Sequence, residues 1–277
     1  MSILLFGSKS FIGRNIIEYF EKEYNVEIVG ICREQVDCLN SQQVFEITKQ
    51  YSPELVINCV VKGGRLYQLD TAEVLYENIL THQNIVQSAS KAGVRIITFG
   101  SGAEVAREKQ TFELEEKVYL EPELVPKDYY GLSKYTTHLM EQSVNSLVNI
   151  RVFGCFGPDD NEQKFLNKII LSMKDDKPVI INNNKYMDFI YIKDLCSLVF
   201  NVYKKRGFYP KTVNAVYKRK YSLLDIVNLI KERTWSQSTI TVLKEETISY
   251  IGKYEAIKKD GNIETGLMES WSKMGTI

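Results

Sequence analysis

The chain opens Ile3-Leu4-Leu5-Phe6-Gly7-Ser8-Lys9-Ser10-Phe11-Ile12-Gly13, and the reading of this stretch decides the fold. Four consecutive apolar residues read as a buried strand. From residue 11 to 23 the apolar positions Ile12, Ile16, Tyr19 and Phe20 recur at helical spacing. Gly7 allows the sharp turn from strand to helix, and Gly13 lets the helix approach the strand. Ser10 stands where a third glycine would be most permissive; it is small and can cap the first helical turn. A parallel sheet binds a dinucleotide at the C-terminal ends of its strands, where the N-terminus of the first helix faces the pyrophosphate. The stretch therefore reads as a dinucleotide turn, with Gly7, Ser10, Phe11, Ile12 and Gly13 as cofactor-binding positions. A plain strand–turn–helix packing unit is the competing reading.

Working outward, strand-like and helix-like segments alternate through the first half. Strands are expected over 3–6, 26–31, 55–61, 94–99 and 148–153, and helices over 11–23, 41–51, 71–92 and 128–147. Strands separated by helices imply a parallel sheet with right-handed crossovers, a doubly wound α/β domain of Rossmann type. The second half is less regular: helices over 161–173, 195–205 and 222–234, short strands over 178–181, 189–192 and 213–216, and little pattern from about 235 onward. No repeat, low-complexity tract or flexible linker interrupts the chain. The expected division is a dinucleotide domain over 1–153, to which 188–205 returns. A smaller α/β C-terminal substrate lobe takes 154–187 and 206–277.

Bulk properties narrow the classes. Lysine plus arginine balances aspartate plus glutamate at 35 each, which argues against an electrostatic nucleic-acid binder. No apolar stretch approaches the ~20 residues that span a bilayer. The N-terminus lacks a basic segment and a cleavage site, so a cytoplasmic protein without membrane attachment is expected. The five cysteines (32, 38, 59, 155 and 196) form no close pairs of the metal-site type, and there are two histidines. Reduced thiols and no metal follow.

Three further features carry chemistry. The second strand ends Gly30-Ile31-Cys32-Arg33. A carboxylate at that place accepts from the adenosine ribose of NAD, whereas a cation accommodates the extra phosphate of NADP. Arg33 favours NADP(H) over NAD, with Arg14 or Lys9 as helpers; a solvated surface arginine beside Glu34 is the alternative. The fourth strand ends at Gly100-Ser101. Tyr130-Gly131-Leu132-Ser133-Lys134 then places a tyrosine and a lysine one helical turn apart. A tyrosine ionises near pH ~10, and an ammonium on the same helix face favours its phenolate. In carbonyl reduction Tyr130 would give a proton to the oxygen while Ser101 hydrogen-bonds it. Tyr254 and Lys258 repeat the spacing without such a setting; order along the chain carries the inference.

Together these residues resemble the extended short-chain dehydrogenase/reductase family, in its branch of nucleotide-sugar 4-ketoreductases and epimerases. Gly7 and Gly13 match the outer glycines of its turn, and Ser10 departs from the middle one. Asn78 in Tyr76-Glu77-Asn78-Ile79 and Asp37 in Val36-Asp37-Cys38-Leu39 resemble the family's cofactor-binding asparagine and adenine-binding aspartate, and Val60 falls at the end of the third strand. Gly100-Ser101-Gly102-Ala103 matches the serine strand end, and Tyr130 with Lys134 matches the catalytic pair, which also touches cofactor. Arg151-Val152-Phe153-Gly154-Cys155-Phe156-Gly157-Pro158 and Met187-Asp188-Phe189-Ile190-Tyr191-Ile192 resemble two later segments. There Gly154 replaces an asparagine and Met187 an arginine that tend to touch substrate, and Lys185 can supply the missing charge. The resemblance covers about residues 1–234. It implies Ser101, Tyr130 and Lys134 as catalytic residues, and Lys185, Met187 and Gly154 as substrate-binding. It also implies a nucleotide-diphosphate sugar as substrate, and a homodimer through the helices 71–92 and 128–147, using apolar residues such as Leu80, Ile85, Leu139 and Val144.

Absent residues narrow the reaction. Dehydratases of this family carry an acid pair directly after the serine or threonine; here those positions are Gly102 and Ala103. Enzymes that also epimerise beside the ketone use a cysteine two residues after the serine and a histidine from the second lobe. Ala103 holds the first place, and His82 and His138 both lie on expected helices of the first domain. The reaction left is ketone reduction or its reverse. The leading expectation is NADPH-dependent reduction of the 4-keto group of a nucleotide-linked 6-deoxy sugar, making an activated deoxysugar for surface polysaccharide. An NAD-dependent nucleotide-sugar 4-epimerase and a non-catalytic dinucleotide-binding sensor are the alternatives.

Overall fold

Six parallel strands build the central sheet of the computed structural model, which describes residues 2–64, 69–205, 210–254 and 261–275. In chain order the elements are β1 (Ile3–Phe6), α1 (Phe11–Tyr24), β2 (Ile28–Ile31), α2 (Ser41–Tyr51), β3 (Leu55–Asn58), α3 (Ala72–Lys91), β4 (Arg95–Ser101), α4 (Tyr129–Glu141) and β5 (Leu147–Val152). They continue with β6 (Cys155–Phe156), α5 (Phe165–Lys174), β7 (Val179–Ile181), β8 (Ile190–Tyr191), α6 (Ile192–Lys204), β9 (Thr212–Asn214), α7 (Leu223–Thr234), β10 (Ile240–Val242) and α8 (Ile263–Lys273). The sheet order is β2-β1-β3-β4-β5-β9; β7 pairs with β10 and β6 with β8 in two-stranded ribbons.

The four apolar residues of β1 serve both faces, as a strand with period two requires. Ile3 and Leu5 join one buried cluster with Ile16 and Phe20 of α1 and Leu195 and Val199 of α6. Leu4 and Phe6 join the other with Val44 of α2 and Ile85 and Ala89 of α3. The chain leaves β1 for β2 on one side and returns to β3 on the other. That reversal opens a crevice at the carboxyl ends of β1 and β3, where open α/β sheets hold ligands. The first cluster continues without a break into Ile169 of α5, Ile226 of α7 and Leu267 of α8, so the C-terminal elements share the sheet's core.

Several boundaries differ from expectation. The strand expected over 55–61 ends at Asn58, whose side-chain oxygen accepts from Val60 N and turns the chain out of the ladder. The helix expected over 128–147 stops at Glu141, because Leu147 is already paired with Ile96 in the sheet. The stretch after 235, expected to lack pattern, forms β10 and α8. The strand is three residues long, and the helix is announced only by its cap, Asn262, which accepts from Glu264 N. Two residues expected on the outer helix face are turned inward: Ile85 is fully buried, and Val144 packs on the same core. Leu80 and Leu139 remain partly exposed, beside exposed Tyr76 and Tyr129. Lys258, of the second Tyr/Lys pair, lies outside the described residues.

Candidate active site

The glycine turn is built as its sequence demands. Gly7 has φ +84°, and a Cβ there would lie 2.8 Å from the carbonyl carbon of Cys59, just past β3. A Cβ on Gly13 would fall 2.3 Å from the carbonyl oxygen of Gly7. Both positions thus exclude a side chain, which brings β1, β3 and the start of α1 into close approach. Ser10 caps α1 by accepting from Gly13 N at 3.0 Å.

Strand β4 delivers Ser101, and a buried charge network fixes it. Ser101 N donates to Glu104 Oε1 (3.0 Å), while Ser101 Oγ accepts from Ala103 N (3.2 Å), a capping box on the 3-10 turn Gly102–Glu104. Glu104 Oε2 accepts from Arg151 Nε and Nη2 at 3.0 and 2.9 Å and meets His138 Nδ1. Burial alone would raise the Glu104 carboxyl. The charges and hydrogen bonds of Arg151 and His138 outweigh it and hold the group at about 2. Glu104 is therefore a locked anion, not a free base, and His138 is a packed partner of that anion.

Helix α4 delivers the pair. Asp128 caps it by accepting from Gly131 N (2.8 Å) and is itself bridged by Arg107 Nη2 at 3.0 Å. Tyr130 lies in the first turn with its ring against Gly64, whose added Cβ would be 2.7 Å from Tyr130 Cε2. One turn on, Lys134 Nζ donates to the carbonyl oxygen of Phe99 in β4 at 2.8 Å, and it stands 6.0 Å from the centroid of the Tyr130 ring. Asn78 of α3 secures the other wall: Oδ1 accepts from Lys62 N (2.8 Å), and Nδ2 donates to Lys62 O (3.0 Å) and Ser133 Oγ (3.1 Å).

Ser101, Tyr130, Lys134 and Asn78 line one cleft of about 1090 Å³ together with Ser10, Phe11, Ile12 and Val60. The structure thus gathers most of the residues singled out in the sequence. Lys185, Met187 and Gly154 line the same cleft from the C-terminal half. Gly154 is required by packing, since a Cβ would lie 2.6 Å from Phe189 Cδ1. Burial, with the nearby Arg107 charge, lowers the Lys185 ammonium below the usual lysine range. Gly7 and Gly13 stand behind the wall and shape it. Arg33 and Asp37 do not line it: Arg33 occupies the exposed turn after β2, and the exposed Asp37 accepts from Leu39 N at 3.0 Å. Lys9 is paired with Glu34, and Arg14 donates to the Asp159 carbonyl.

Among the lining residues that sequence reasoning did not assign to the site are Arg107, Tyr250 and, as a wall residue, His82. Burial drops the His82 imidazole to about 3, so it is neutral at physiological pH. No local pattern flags Tyr250, which reaches Ser101 from 149 positions away.

A nicotinamide dinucleotide fits this wall. Two glycines exclude side chains at the turn, the 14-residue helix α1 aims its N-terminus at the cleft, and the cleft volume suits a large ligand. Among the described residues, no helix is long and apolar enough to cross a membrane.

Comparison with known proteins agrees with this geometry. The model of the NAD dependent epimerase/dehydratase family matches residues 3–215. The GDP-6-deoxy-D-talose 4-dehydrogenase of Aggregatibacter actinomycetemcomitans is 25% identical over 259 residues, 87% of this chain and 82% of that one. Among solved structures, a GDP-D-glycero-L-gluco-heptose synthase from Campylobacter jejuni, determined in the presence of NADPH, superposes with a TM-score of 0.85. It is 16% identical, over 98% of this chain and 97% of that one. The UDP-glucose 4-epimerase of Thermotoga maritima, solved with UDP-glucose, gives 0.82 at 15% identity over 99% and 98%. With its glycine turn, strand-end serine and Tyr/Lys pair on one cleft, the chain belongs to the NAD dependent epimerase/dehydratase family.

Proposed function

We propose that the chain is a cytoplasmic, NADPH-dependent reductase of the 4-keto group of a nucleotide-linked 6-deoxy sugar, making an activated deoxysugar for surface polysaccharide. The observation that carries this reading is the convergence of Ser101, Tyr130 and Lys134 on the cleft beside the glycine turn. The Aggregatibacter relative, a 4-dehydrogenase of a GDP-linked 6-deoxy sugar by name, supports both the carbon and the sugar class. The Campylobacter structure, determined with NADPH, supports the cofactor.

Ser10, Phe11, Ile12, Val60 and Asn78 would hold a nicotinamide cofactor, which would supply the hydride. The chain's residues manage the oxygen. Ser101 hydrogen-bonds the carbonyl oxygen from a position fixed by Glu104, and Tyr130 gives it a proton. Lys134 keeps positive charge beside the Tyr130 ring as that proton leaves; its bond to Phe99 O uses one of three N–H groups and leaves two for ligands. Lys185 and Arg107 face the diphosphate of the substrate, and Met187 packs along the sugar. Arg33, in the exposed turn after β2, would take the extra phosphate of NADPH, and Asp37 would serve the adenine.

Elimination of water lacks its acid pair, because Gly102 and Ala103 follow Ser101 and the next carboxylate, Glu104, is locked by Arg151. The likeness to the Thermotoga 4-epimerase keeps an NAD-dependent 4-epimerase as the second reading. The partly exposed apolar face of α3 and α4, with Leu80, Leu139, Tyr76 and Tyr129, supports a homodimer in which two copies form a four-helix bundle. The test is NADPH oxidation against GDP-, dTDP- and CDP-linked 4-keto-6-deoxy sugars. Oxidation with one of them is expected, and none with the whole panel overturns the reading.

A further inference from the structure

Ser101 has a partner in the C-terminal half that the family match, which ends at residue 215, does not include. The Tyr250 hydroxyl lies 3.3 Å from Ser101 Oγ, and both groups are buried at the cleft wall. Tyr250 is held on every side. Its N–H donates to Tyr186 O at 2.8 Å, and its carbonyl accepts from Asp188 N at 3.0 Å. Its ring stands edge-on to Phe153, with centroids 5.3 Å apart. Two residues on, Gly252 N donates to Asp188 Oδ2 (2.9 Å), while Lys220 Nζ bonds both that carboxylate oxygen (2.7 Å) and Gly252 O (2.6 Å). The buried Asp188–Lys220 pair thus clamps the segment that presents the phenol.

A serine hydroxyl has one proton to donate and two lone pairs to accept with. One lone pair of Ser101 takes Ala103 N–H. Burial pushes the Tyr250 phenol well above the usual tyrosine range, so it keeps its proton at neutral pH. Among the described residues that hydroxyl has no hydrogen-bond partner other than Ser101 Oγ. With Tyr250 as donor, both lone pairs of Ser101 are filled and its own proton must point elsewhere, into the cleft. The reverse direction would leave Ser101 no proton for a carbonyl.

We propose that Tyr250 is a positioning residue that donates to Ser101 Oγ and so directs the Ser101 proton onto the carbonyl oxygen of the substrate. The inference rests on the reductase reading, since it assigns Tyr250 a part in holding that oxygen. A chain of two donors also strengthens the terminal one, because each bond polarises the next.

The test is a double-substitution cycle on the intact protein, with Tyr250→Phe, Ser101→Ala and both together. Thermal unfolding and dinucleotide titration establish that each variant is folded and binds cofactor. Tyr250→Phe is expected to lower kcat about tenfold to a hundredfold with KM for the sugar nucleotide nearly unchanged, and Ser101→Ala about 10²–10³-fold. The double variant should be no slower than Ser101→Ala alone, within about twofold, because Tyr250 acts only through Ser101. Losses that multiply, or a Tyr250→Phe effect confined to KM, overturn the positioning role while leaving the reductase reading in place. A wild type that oxidises NADPH with no member of the panel overturns the reductase reading, and with it the role assigned to Tyr250.

Discussion

The Lys134 ammonium stands 6.0 Å from the centre of the Tyr130 ring and is anchored there by the carbonyl oxygen of Phe99, 2.8 Å away. The pair is therefore registered against the same strand, β4, that ends in Ser101. Tyr130→Phe keeps the ring that packs on Gly64 and removes only the proton donor. Turnover should fall on the order of 10²–10⁴-fold with dinucleotide affinity nearly unchanged, as steady-state kinetics and cofactor titration will show. Wild-type turnover in the purified variant would remove Tyr130 from the mechanism.

Arg33 occupies the exposed turn after β2, where a carboxylate would mark an NAD site. Arg33→Ala should weaken NADPH by about tenfold to a hundredfold and leave NADH nearly untouched, since only NADPH has a phosphate to lose there. Titration of both cofactors gives the answer. Equal losses would assign the arginine to the surface.

Glu104 links the site to acid stability. Its carboxyl sits at about 2 in the folded protein, below the ordinary 4.5. The stabilisation from the ionised, Arg151-bound form is thus fully present above about 4.5 and is lost as pH falls toward about 2. Unfolding free energy should drop through that window. Glu104→Gln should flatten this part of the profile and cost ~3–5 kcal/mol at neutral pH, because Arg151 is left buried without its counter-charge. Denaturant titrations at several pH values test both statements, and a variant as stable as wild type at pH 7 contradicts them.

The exposed part of α3 and α4 predicts association. The wild type should sediment at twice the 32.0-kDa chain mass at micromolar concentration, and Leu139→Arg should return it to the chain mass. A wild-type species of 32.0 kDa disposes of the dimer.

The parts of this protein that were legible in its sequence are those where local chemistry is sufficient. Gly7, Gly13 and Ser10 follow from what a tight strand-to-helix turn tolerates, and β1 from four apolar residues buried on both faces. Tyr130 and Lys134 follow from one helical turn on a shared face. The remainder depends on contacts between distant segments. Tyr250 reaches Ser101 across 149 positions from a stretch without periodicity, and Arg107 enters the cleft from a 3-10 turn held by Asp128. Ile85 looked available for an outer face because periodicity gives the apolar stripe of a helix without saying which neighbour covers it.

The central claim is net reduction, and the ratio of NADPH oxidised to sugar nucleotide converted tests it most directly. With the 4-keto-6-deoxy substrate that supports turnover, the account predicts one NADPH consumed per product formed, with Tyr130→Phe slowing both equally. Conversion of a nucleotide sugar with no net change in the cofactor would contradict it and establish the 4-epimerase instead.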